Sequence, residues 1–190
     1  MIVAYIWNLR YSHAGAWVAI LGLMLLSHLA RREGAYWLGF RTRHMGECWR
    51  NVAPVLAFLT LLMLACGTLL HTMRPIGVAV ALASWAAYVP WGVFQQYALN
   101  GYFLNRFQAV LGSRAASLIS AALFCGIHTP NWFLMLVAFP AGYCSTLIYQ
   151  RYRNLYFLGL AHATVGFLLY LVVPDSVSHH LNVGPGWFGH

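Results

Sequence analysis

Six stretches dominated by apolar residues, bounded by arginines or turn residues, constrain this chain more than any other feature. They run from Tyr11 to Ala30, Asn51 to Leu70, Pro75 to about Asn105, Ala115 to His128, Pro130 to Tyr149 and Leu155 to Val173. Crossing ~30 Å of hydrocarbon takes roughly 20 apolar residues. An all-α polytopic transmembrane bundle of about six membrane-spanning helices follows, with the fourth stretch short and the third long. The chain is 61% hydrophobic and only 7% charged, which excludes a water-soluble fold. The first span follows Arg10 and precedes Arg31 and Arg32, the reverse of the charge order in a cleavable secretory signal, so it is expected to remain.

The charges orient the bundle. All eleven basic residues are arginines, against three acids, Glu33, Glu47 and Asp175. With six spans, nine arginines (31, 32, 41, 43, 50, 106, 114, 151 and 153) fall on one side and only Arg10 and Arg74 on the other. The positive-inside bias then puts both termini outside the cytoplasm. Arginine-rich loops suit anionic lipid headgroups, and no polar domain exists to carry a nucleic-acid interface. A bacterial inner membrane is the expected location. No linker, repeat or low-complexity tract divides residues 1–190, so a single integral membrane domain is expected, with a short irregular tail over 174–190 whose Trp187 and Phe188 rest on the membrane.

The cysteines form no disulfide framework: Cys48 is read as a loop residue, and Cys66, Cys125 and Cys144 lie inside apolar stretches. His13, His28, His44 and His71 fall near span ends and read as interfacial. Pro90 and Pro140 are expected to kink their helices.

Polar groups inside a membrane are costly and carry a functional hypothesis. The third span holds Gln95, Gln96 and Asn100; the fourth ends at His128, followed by Thr129, Pro130 and Asn131; the sixth contains His162 and Thr164. At 1.5 Å per helical residue, Gln95 lies roughly 16 Å from Arg106, His128 roughly 21 Å from Arg114 and His162 roughly 14 Å from Arg153. Three helices thus bring amide and imidazole groups to one layer. The alternative is that these residues only bond the helices together. Thr129–Pro130 reads as an N-cap followed by the first helical position, putting Asn131 just inside the fifth helix near His128. Cys125, three residues before His128, shares its helical face and could serve as a nucleophile. Zinc held through His128 and His162, with Cys125 or water as third ligand, would lack a third strong protein ligand, and the two histidines on separate spans could also ligate haem; no cofactor is predicted, with zinc through His128 and His162 as the alternative.

At these residues the sequence resembles the CPBP family of intramembrane endopeptidases, which includes type II CAAX prenyl proteases and bacteriocin-processing or immunity proteins. Over about residues 80–172, the family's EExxxR would be Gln95-Gln96-Tyr97-Ala98-Leu99-Asn100, followed by Gly101. Its FxxxH is Phe124 to His128, and its HxxxN begins at His162 and reaches Gly166. The resemblance implies catalytic roles for His128, His162, Gln95 and Gln96. In it, His128 holds or activates water and His162 donates to the oxyanion, while Asn100 replaces the arginine. Asn100 and Asn131 are the candidate substrate-positioning residues. Glutamine cannot accept a proton from water as glutamate can, so His128 must be the base. The function expected is an intramembrane endopeptidase cleaving a membrane-associated peptide or protein tail. The alternative is a non-catalytic relative, a membrane chaperone, immunity factor or accessory subunit, that binds a peptide, lipid or partner helix. Expected partners are membrane lipid, that peptide or tail, and another membrane protein.

Overall fold

The computed structural model describes residues 4–13 and 15–188. His190, at the end of the predicted tail, lies outside them. Short helical turns at Tyr5–Leu9 and Arg10–Ser12 lead into α1 (Ala16–Ala30), α2 (Met45–Leu69), α3 (Val78–Gln96), α4 (Ser113–Gly126), α5 (Trp132–Tyr152) and α6 (Leu155–Val172). α3 runs on through wide, π-type turns at Tyr97–Leu104 into Asn105–Leu111, forming one rod of 34 residues. Among the described residues there is no strand. The protein is an all-α membrane bundle.

α2, the α3 rod, α5 and α6 are long and apolar enough to cross a membrane. α1 and α4, with 15 and 14 residues, are shorter and reach only ~22 Å. α2 starts at Met45, before the predicted edge at Asn51. Hydropathy marks where lipid begins, whereas the helix continues through the polar turn carrying Glu47 and Arg50. Cys48 is therefore not a loop residue but lies fully buried in α2, packed with Tyr152 and Phe157. The outer face of α2 exposes Val55, Phe58, Leu61 and Leu62, as a lipid-facing helix does.

The predicted start of α5 also needs correction. Thr129 is not its cap: its hydroxyl donates to Gly126 O at 2.7 Å. Asn131 is the N-cap, with Oδ1 accepting from Leu134 N at 3.1 Å, and the helix begins at Trp132. His28 is buried rather than interfacial. The loop after α1 folds back over the helix end and sets Glu33 Oε2 at 2.7 Å from His28 Nδ1, while His28 Nε2 meets the Tyr97 hydroxyl at 2.9 Å.

Small residues fix the approach that matters most. α3 crosses α6 at Gly92 and Gly159; a Cβ on Gly92 would sit 2.6 Å from Gly159 O and 3.1 Å from the Ala163 backbone nitrogen. Without side chains at the crossing the backbones come together, and the next turns bring Gln96 against His162. Gly142 of α5 likewise lies flush on Phe124 of α4, where an added Cβ would meet the ring at 3.1 Å.

The tail is folded rather than irregular: it turns helically at Asp175–Ser178, His179–Leu181 and Gly184–Trp187. Asp175 pairs with Arg74, and the Trp187 ring lies 3.7 Å, centroid to centroid, from His179.

Candidate active site

Gln96 is the hub of a buried network. Its Oε1 accepts from Ser145 Oγ at 2.5 Å and from Asn100 Nδ2 at 2.8 Å, and Asn100 Nδ2 also reaches Ser145 Oγ at 3.0 Å. With its carbonyl engaged by two donors, the amide turns its Nε2 toward His162 Nδ1, 3.2 Å away. That nitrogen must accept, so the neutral His162 ring carries its proton on Nε2.

His128 is held the opposite way. Its Nδ1 donates to Phe124 O at 2.6 Å, which leaves Nε2 as a lone-pair acceptor. The two histidines contact one ring: Phe124 meets His128 edge-on at 4.9 Å and His162 edge-on at 5.9 Å, centroid to centroid. The site thus holds an imidazole able to take a proton beside one able to donate a hydrogen bond.

A cavity of about 810 Å³ opens here between α1, α3 and α4. Trp17, Leu21, Phe94 and Leu123 supply apolar walls, and Tyr5, Ile6 and Val183 line it from the two ends of the chain. Its polar lining includes Gln95, Ser120 and His128, and Gln95 Oε1 and Ser120 Oγ are buried there without a hydrogen-bond partner among the described residues. Unpaired buried polar atoms are expensive, and in a cavity they are the atoms that a water or substrate group would satisfy.

The structure therefore joins Gln96, Asn100 and His162 directly, sets His128 and His162 both against the Phe124 ring, and places Gln95 with His128, but neither Gln96 nor His162, on the cavity wall. Asn131 is engaged elsewhere. It is fully buried, and its Nδ2 donates to Ser178 O at 2.8 Å and Asn182 O at 3.0 Å, tying the tail to the start of α5. Asn100 is likewise fully buried, and its amide nitrogen is spent on Gln96 and Ser145. Cys125 directs its thiol at Met135 O, 3.4 Å away. Among the described residues no group of three His, Cys, Asp or Glu is gathered. Ser145 and Ser120 escaped the sequence reading, although both are polar residues inside apolar spans.

Residues 77–168 match the family model described as Rce1-like, type II CAAX prenyl endopeptidase. They belong to the CPBP family. The match takes in Gln95, Gln96, Asn100, Phe124, His128 and His162, the residues on which the sequence resemblance rests. No curated protein and no solved structure matches the chain. Gln95 and Gln96 are the residues that the sequence resemblance sets against the family's two glutamates. The three acids lie elsewhere: Glu33 beside Arg106, Glu47 beside His44 and Asp175 beside Arg74.

Proposed function

We propose that this CAAX-protease-like membrane protein is an intramembrane endopeptidase that cleaves a membrane-associated peptide or protein tail with a water activated by His128. The observation that carries the reading is the free Nε2 of His128, left as an acceptor by the Nδ1 bond to Phe124 O, on the same cavity wall as the unpartnered Gln95 Oε1. A water between them donates one hydrogen to each acceptor and keeps a lone pair for the scissile carbonyl. As the oxygen–carbon bond forms, the water's proton passes to His128. The carbonyl oxygen becomes an oxyanion that accepts from His162 Nε2–H, and His128 returns its proton to the leaving nitrogen as the C–N bond breaks. Gln96 keeps His162 in the donor tautomer, and Ser145 and Asn100 keep Gln96 oriented. By the arginine asymmetry, the protein sits in a bacterial inner membrane with both termini outside the cytoplasm.

A second reading rests on the missing carboxylate. With every acid of the chain outside the cavity, the site would bind a peptide, lipid or partner helix without cleaving it, as a chaperone, immunity factor or accessory subunit does.

One assay separates them. The protein is reconstituted in vesicles with a lipid-anchored reporter peptide, and cleavage is compared between the wild type and H128A. The peptidase reading expects turnover that falls at least about 100-fold in H128A; undiminished cleavage overturns the assigned role. Absence of turnover in the wild type together with cleavage by Q95E or Q96E supports the non-catalytic reading.

A further inference from the structure

A second cleft, of about 310 Å³, lies at the arginine-rich edge of the bundle, away from the CPBP motif residues. It is lined by Arg31, Glu33, Trp37, Asn105, Gln108, Ala109 and Arg153. The charges in it do not cancel. Glu33 is already neutralised, because Arg106 donates to both its oxygens at 2.7 Å and His28 Nδ1 adds a third contact at 2.7 Å. Among the described residues Arg153 meets only neutral groups: Nη1 donates to Trp37 O at 3.1 Å and Nη2 to Asn105 Oδ1 at 3.4 Å. Its guanidinium also lies over the Trp37 ring at 4.9 Å and the Tyr149 ring at 5.6 Å. These contacts hold the fork in place without satisfying its charge. Arg31, at the C-cap of α1, is exposed, and its guanidinium forms no ion pair with a described acid.

We propose that this cleft is a binding site for a phosphate group, taken from an anionic phospholipid headgroup or from a soluble phosphate. Two unneutralised arginines, one preorganised by rings and carbonyls, match the charge and the fork geometry that phosphate oxygens select. Basic pockets at the cytoplasmic edge of helical bundles take headgroups in this way. The site is independent of the chemistry at His128: Asn105 and Arg153 reach it from the end of the α3 rod and the α5–α6 turn.

The test uses native mass spectrometry of the full chain extracted from phosphatidylcholine vesicles containing phosphatidylglycerol, and thermal melting in neutral detergent with inorganic phosphate. The expected result is retained phosphatidylglycerol that falls at least about tenfold in R31Q and in R31Q/R153Q but is unchanged in R151Q, which removes an equal charge outside the cleft. R31Q leaves the packed contacts of Arg153 intact, so its effect is not one of misfolding. A melting shift with inorganic phosphate, lost in R31Q and unaccompanied by lipid retention, assigns the cleft to soluble phosphate. Equal losses in R151Q, or no preference for phosphatidylglycerol over phosphatidylcholine together with no shift by phosphate relative to chloride, overturn the proposal.

Discussion

Replacing Ser145 with alanine removes the hydroxyl that donates to Gln96 Oε1 at 2.5 Å and frees the amide to turn away from His162. A lost buried hydrogen bond is worth about 1–2 kcal/mol, so S145A is expected to lower kcat about 5- to 30-fold with KM unchanged, read in the vesicle assay. Glu33 carries a pH dependence. Burial by itself would raise its carboxyl, but the hydrogen bonds from Arg106 and His28 hold it below its usual 4.5. A depressed folded value stabilises the protein above the unfolded value and is lost as pH falls through the folded one. Thermal stability is therefore expected to drop below about pH 4.5, and E33Q, less stable at neutral pH, is expected to show a smaller drop. Gln95, Gln96, His128 and His162 were legible because an amide or imidazole inside an apolar span is conspicuous, and the matched depths of Gln95, His128 and His162 set three helices' polar groups in one expected layer. Ser145 and Ser120 were not, since a helical serine can satisfy itself on its own backbone. The burial of His28 was not either, because only the folded-back loop covers it.

The α3–α6 crossing sets the distance between Gln96 and His162, and it depends on glycine. A Cβ at Gly159 would lie 2.6 Å from Val93 Cα and 2.9 Å from Val93 N, backbone atoms that cannot step aside. Gly159→Leu is expected to cost about 1–3 kcal/mol, lower the melting temperature and abolish cleavage by parting the two helices. Gly126→Ala, with nothing within 4 Å of the added Cβ, is expected to leave both unchanged. The positions of the six helices could be read from the sequence because lipid demands long apolar segments. Their ends could not, as the early start of α2 and the asparagine cap of α5 show: caps and polar end turns follow hydrogen bonds rather than hydropathy. Nor could the wide turns at Tyr97–Leu104, which carry Asn100 and begin just after Gln96. An apolar helix reads alike whether its bonds close at four residues or at five.

For the whole molecule, a six-span topology would put nine arginines on one side against two on the other, which predicts the loops that face the cytoplasm. In a cysteine-free background, a single cysteine replacing Thr42 is expected to react with a membrane-impermeant maleimide only after the cytoplasmic face is opened; labelling from the outside of sealed cells would reverse the orientation. The cavity has no counterpart in the sequence pattern, because its walls come from α1, α3 and α4 with both chain ends. Trp17 and Val183 meet there only through folding. Whether it cleaves or only binds, the protein is expected to take its peptide into this cavity. The most direct test places a photo-reactive benzoylphenylalanine at Phe94, on the cavity wall, or at Phe58, on the outer face of α2, and irradiates each with the lipid-anchored peptide in vesicles. Crosslinking at position 94 and little at 58 is the result predicted; equal crosslinking at both, or capture at 58 alone, would contradict the cavity as the peptide site.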